Sequence, residues 1–172
     1  MTTLELRKTF LEVIEELKPI FPEVSSNTYV TIFNETAKKR YGQCRRIGPE
    51  FFEISINKLF AEICSINKVK NTIVHEILHA LPGGMSHKGD WARYAQIVNV
   101  KLPHYHITRT SFYKEYNQAI QNEAKYIVYC PDCNKTWKRY RKSAMITDIM
   151  NGNKRNYHCP QCKTPVKIKI EK

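Results

Sequence analysis

Two Cys-x-x-Cys hooks, Cys130-Pro131-Asp132-Cys133 and Cys159-Pro160-Gln161-Cys162, stand 25 residues apart in the last quarter of a 172-residue chain. Four thiolates presented by two such hooks satisfy a tetrahedral zinc ion and leave no position open, so the spacing predicts a structural metal site. A tail of about forty residues is too small to bury an apolar core of its own and needs such a cross-link to hold a shape. The gap leaves room for a helical excursion over 143–150. A redox reading fits poorly, because a thioredoxin-like motif uses one hook in a βαβ setting rather than two in a basic tail. The remaining cysteines, Cys44 and Cys64, stand alone and read as buried small side chains.

A second donor set lies upstream in His75-Glu76-Ile77-Leu78-His79. A helix puts residues four apart on one face, so His75 and His79 can aim their imidazoles at one ion. A catalytic zinc wants three protein ligands with a fourth position for water. Pro82 ends the helix, Gly83-Gly84 permits a reversal, and His87 follows as the expected third ligand, with Asp90 in reserve. Glu76, one position past His75, is placed to take a proton from water without binding the metal, and is the expected general base. Ile73, Val74, Ile77, Leu78 and Leu81 surround these positions and predict a buried helix. Ordinary helix histidines remain the bland alternative, weakened by the breaker and the third histidine. The cofactor expectation is therefore Zn²⁺ twice, once catalytic and once structural.

Charge is uneven. The chain carries +12, and residues 130–172 hold 11 Lys and Arg against 3 acidic residues, so +8 of the excess sits there. Between the hooks, Trp137, Lys138, Arg139, Tyr140, Arg141 and Lys142 alternate cations with aromatics, a pattern that tracks phosphates while stacking unpaired bases. DNA is the expected partner, single strands or junctions before duplex. The competing reading is a solvated basic surface whose aromatics cover the metal knuckle. No run approaches membrane-spanning length, and the first eighteen residues, with Glu5, Glu12, Glu15 and Glu16, resemble no leader. The expectation is an intracellular, cytoplasmic monomer without a membrane partner, and a nucleoid association would suit the basic tail.

Thr2 and Glu5 read as a capping box opening a helix over 3–18. Tyr29 to Phe33 and Phe52 to Asn57 read as strands, with a third through 41–47. Helices follow at 59–66, at 69–81, after Asp90 as N-cap, and over 111–123, with 104–106 in a loop. The order predicts an α+β fold, divided into a domain over 1–125 and a metal-bound tail over 126–172.

Tyr41-Gly42, the strand Phe52 to Asn57, His75 to Ala80, His87-Lys88-Gly89-Asp90-Trp91 and the two hooks, taken in that order, resemble the SprT-like zinc metalloproteases, the family of Spartan. The resemblance implies a compact zincin-like domain with a small C-terminal zinc ribbon. It implies that His75, His79 and His87 bind catalytic zinc, that Glu76 is the base, and that the substrates are proteins associated with or crosslinked to DNA. A metzincin pattern fits worse, since Pro82 stands where it has glycine. His104, Tyr105 and His106 are the candidates to stabilise the oxyanion. The alternative function is a non-proteolytic nucleic-acid-binding zinc protein with a regulatory or scaffold role.

Overall fold

Leu6, Phe10, Val13, Ile14 and Leu17 form one apolar stripe, and the helix that carries it, α1 (Thr3–Leu17), is opened by the expected capping box. The Thr2 hydroxyl accepts from the Glu5 amide at 3.2 Å, and the Thr2 amide donates to the Glu5 carboxylate at 2.7 Å. In the computed structural model, which describes residues 1–37, 39–122, 124–152 and 157–170, the chain is α+β and divides into two compact units, Met1–Tyr116 and Asn117–Lys172.

Three strands make the sheet of the first unit: β1 (Thr28–Asn34), β2 (Gly42–Gly48) and β3 (Phe51–Asn57). Their order is β1-β3-β2, with β1 parallel to β3 and β2 antiparallel to it. Tyr29 pairs with Phe52 and Thr31 with Ile54, so the β-branched and aromatic alternation places these side chains on one face. Phe10 of α1 meets the Tyr29 ring at 5.4 Å, which identifies that face as the covered one. On the other, Val30, Ile32 and Phe51 remain exposed.

Asn57 ends β3 and caps α2 (Lys58–Ile63), its side-chain oxygen accepting from the Phe60 amide at 2.9 Å. The next helix, α3 (Ile66–Ala80), begins three residues earlier than the apolar pattern predicts and is buried nearly all round: Val69, Ile73, Val74, Ile77 and Leu78 have no exposed surface. Burial on that scale contributes about 1.5–3 kcal/mol per large side chain, which is what holds a helix bearing two histidines and a glutamate inside the domain. The helix packs on α1 and on β2 and β3.

Helix α4 (Asp90–Lys101) is not capped by Asp90. Gly89, at φ 58, occupies the cap, and Asp90 is the first helical residue, its carboxylate paired with Arg93 at 2.9 Å. An acid in a first turn is favoured by the helix dipole even where it is not the cap. The expected helix over 111–123 is realised as α5 (Lys114–Asn122), position 123 lying outside the described residues. The division between units falls within α5 rather than after 125, because the Tyr116 ring packs on Tyr41 and Phe60 of the first unit.

The second unit is a three-stranded antiparallel sheet in the order β5-β4-β6, from β4 (Tyr126–Tyr129), β5 (Thr136–Arg139) and β6 (Lys167–Ile170). The excursion between the hooks contains α6 (Ala144–Met150), capped by Ser143 and anchored by the buried Ile146. Among the described residues, no helix is long and apolar enough to cross a membrane.

Candidate metal centres

Helix α3 delivers His75 and His79 one turn apart, and the reversal at 81–89 returns His87 to them. The Nε2 atom of His87 lies 2.8 Å from that of His75 and 3.1 Å from that of His79. A tetrahedral ion with metal–nitrogen bonds of about 2.0–2.1 Å spaces its donors about 3.3 Å apart, so the three nitrogens stand only slightly inside that spacing.

What each ring does with its other nitrogen fixes the chemistry of this cluster. Nδ1 of His75 faces the Thr108 carbonyl at 3.2 Å, and Nδ1 of His79 faces the Gly84 carbonyl at 2.7 Å. An N–H donated at Nδ1 leaves an Nε2 lone pair pointing inward, the tautomer a metal ligand needs. Burial, then the neighbouring His79 and His87, hold the His75 imidazole down to about 3, and burial also lowers His79 and His87. Three neutral imidazoles with convergent lone pairs repel one another unless a cation lies between them. The cluster could therefore hold a metal ion.

Trp91 supports all three rings. It is buried, with centroids 4.7, 5.5 and 4.8 Å from those of His75, His79 and His87, and its indole N–H donates to the His75 carbonyl at 3.3 Å. Gly84 is equally constrained, since a Cβ there would run into the Leu78 carbonyl oxygen. Gly84→Ala is expected to cost about 2–4 kcal/mol and, by displacing the carbonyl that orients His79, to weaken metal binding at this cluster 10–100-fold. Metal titration and urea unfolding of the variant would check both. Unchanged affinity would remove the Gly84 carbonyl from its orienting role.

Glu76 points to the other side of the helix. Burial pushes its carboxyl up to about 7, against the opposing pull of the Cys44 amide and the Arg40 guanidinium. The backbone of Gly42 presses against it: a Cβ at Gly42 would lie 2.8 Å from the Thr72 methyl and 2.9 Å from both Cγ and Oε1 of Glu76. Any larger residue there would displace the carboxylate, which gives the absence of a side chain at position 42 a physical reason. A cavity of about 410 Å³ opens in front of Glu76 and the three histidines, with Gly42, Gln43 and Cys44 of the edge strand β2 along one side. A second, of about 390 Å³, adjoins it and shares His79 and Met85.

Asp90, the reserve ligand, is not part of the histidine cluster and is engaged by Arg93. None of His104, Tyr105 and His106 lines the cavity. His104 pairs with Glu16 at 2.9 Å, Tyr105 is buried, and the His106 amide donates to Asn71. The chain turns toward the cluster two residues later, at Thr108 to Ser111.

The second centre gathers all four hook cysteines. Sγ of Cys130 lies 3.2 Å from that of Cys162, and Sγ of Cys133 lies 3.6 Å from that of Cys159, near the roughly 3.8 Å edge of a tetrahedron with 2.3 Å metal–sulfur bonds. The hooks repeat one local geometry. The residue after each, Asn134 and Lys163, has positive φ, and the second amide of each hook donates to the first sulfur. That donation, from Cys133 to Cys130 and from Cys162 to Cys159, lowers both thiols, Cys159 to about 6, and favours the thiolates a metal requires. This cluster could also hold a metal ion. Cys64 is buried as expected, while Cys44 is only half-buried and borders the cavity.

Trp137 is half-buried on β5, and Lys138, Arg139, Tyr140, Arg141 and Lys142 are exposed. The spacing of the histidines and cysteines was readable along the chain. The Trp91 buttress showed only as one apolar step of a helix, and Arg40 and Arg109, which border the cavity, left no local trace. No protein-family model and no curated protein matches this chain.

Proposed function

We propose that the chain is a zinc-dependent endopeptidase of the SprT-like kind, a zincin-like domain followed by a zinc ribbon, acting on proteins associated with or crosslinked to DNA. The observation that carries this reading is the juxtaposition of a buried carboxylate, Glu76, with three convergent imidazole nitrogens in an open cleft. The donor set of three neutral histidines suits zinc, which would supply Lewis acidity to the scissile carbonyl and to the attacking water. Glu76 takes the proton of that water at its carboxylate and returns it to the departing amine. The Cys44 amide and Gly42 hold the carboxylate in place, and the Thr108 and Gly84 carbonyls hold the imidazoles. β2 pairs with β3 on one edge only, so its other edge is available to an extended substrate running along the cleft as an added strand. In the second unit, Trp137, Tyr140 and the cations around them are the surface for single-stranded DNA.

The test is cleavage of casein, and of the chain itself, with and without single-stranded DNA. We expect turnover that a chelator stops and that Glu76→Gln lowers at least a thousandfold without loss of metal. DNA binding with no cleavage under any of these conditions would favour the scaffold role instead.

A further inference from the structure

The cleft in front of the histidines carries charge of opposite sign at its two ends. Arg40, just ahead of β2, and Arg109, next to the Thr108 carbonyl that holds His75, both border the larger cavity. Arg40 acts electrostatically on Glu76 and Arg109 on His87, so the two guanidinium groups flank the candidate reaction centre. Neither has a carboxylate partner among the described residues. Other arginines of the unit are engaged: Arg45 pairs with Glu53, Arg46 donates to the Gly48 and Pro49 carbonyls, and Arg93 pairs with Asp90. The adjoining cavity beyond Met85 is bordered instead by Glu23 and Glu50, with Arg46 there already committed to its two carbonyls.

We infer that Arg40 and Arg109 form an acid-selecting subsite that binds an aspartate or glutamate side chain of a polypeptide beside the scissile bond. Guanidinium groups left without a counter-ion in a concave site are suited to a carboxylate in a planar, two-point contact. A nucleic-acid strand is the weaker occupant. A continuous polyanion laid through the cleft would meet Glu23 and Glu50 at its far end, whereas a peptide can be acidic on one side and neutral or basic on the other. The opposed charges also set the direction in which the peptide lies.

This inference rests on the peptidase reading for its biological meaning, but its test reads binding and needs no turnover. Zinc-loaded Glu76→Gln protein is titrated into fluorescein-labelled twelve-residue peptides with Glu, Gln or Lys on one side of the central bond, and anisotropy is followed at low and high salt. The Glu peptide is expected to bind about tenfold more tightly than the Gln peptide and the Lys peptide more weakly still, the preference shrinking as salt rises. In the added Arg40→Gln, Arg109→Gln background the Glu-to-Gln ratio should fall below twofold, and with Arg40→Lys, Arg109→Lys most of it should survive. Zinc content of each variant reports that the domain is intact.

A parent ratio within twofold of unity overturns the proposal, as does a preference that survives the double glutamine change. So does an oligonucleotide affinity that depends on these arginines while peptide choice does not. Selective binding of the acidic peptide by a chain whose wild-type form cuts nothing would sink the peptidase reading and leave the subsite standing.

Discussion

Replacing Cys159 with serine unfolds the described part of Asn117–Lys172 and leaves Met1–Tyr116 folded. The second unit has almost no apolar centre of its own: apart from Ala124, Val128 and Ile146, its buried side chains are Cys130 and Cys159, two of the four sulfurs. Without the metal, three short strands and a two-turn helix cannot offset the conformational entropy of ordering some fifty residues. Metal binding and folding are then one equilibrium, with an apparent coupling of about 10–16 kcal/mol in zinc-bound modules of this size. One ligand change removes most of it, and the two cis hooks cannot compensate because each supplies only two donors. The chain contains two tryptophans, Trp91 in the first unit and Trp137 in the second, so their separate emission, with the other replaced by phenylalanine, distinguishes the outcomes. Trp137 should report a solvated, unfolded environment while Trp91 stays shielded, and bound metal should drop by one ion per chain. A serine variant that keeps dispersed resonances for β4, β5 and β6 would show that the sheet does not depend on the cross-link.

Glu76→Gln is expected to stabilise the metal-free first unit by about 3 kcal/mol at pH 8 and to leave it unchanged near pH 4. The carboxyl titrates near 4.5 in the unfolded chain and near 7 in the folded one. Below 4.5 both forms hold the proton and the buried group imposes no charge penalty. Between 4.5 and 7 the unfolded chain releases its proton while the folded one keeps it, so stability falls as pH rises, and above 7 the whole penalty is present. Glutamine has nearly the same shape and no charge to bury, which removes the penalty where it exists and nothing where it does not. The histidines act in the opposite direction. Their folded-state values are lowered, His75 to about 3, so they contribute stability above pH 6.5 that is lost as pH falls. Urea unfolding in chelator, followed at Trp91, measures both limbs. Equal midpoints for parent and variant at pH 8 would mean that Glu76 is solvated rather than buried. The group proposed for catalysis is thus one that the fold holds at a cost in stability.

Much of both centres could be read along the chain because each is built from short-range spacing. Four residues on a helix bring two imidazoles to one face, and Cys-x-x-Cys brings two sulfurs to one turn, whatever surrounds them. The apolar periodicity of α1 and the alternation in β3 were legible for the same reason, as was the α+β order of elements. His87 was also within reach, since Pro82 and the diglycine leave the chain few ways to continue except back toward α3.

Tertiary packing decided the rest. The carbonyl that orients His75 comes from Thr108, 33 residues on, and the glycine that confines Glu76 comes from a strand three elements earlier. His104 and Tyr105 lie close to the site in sequence, yet they turn to α1, where Glu16 accepts the His104 contact. Arg40 and Arg109 meet at one cavity from opposite sides of α3 in the sequence, with nothing in either neighbourhood to announce it. Donor spacing is a property of the backbone's local geometry, so the sequence determined which atoms could grip a metal. Which carboxylate is buried beside them, which carbonyls aim them and which charges border the opening depend on how distant segments pack, and those were set only when the core closed around α3.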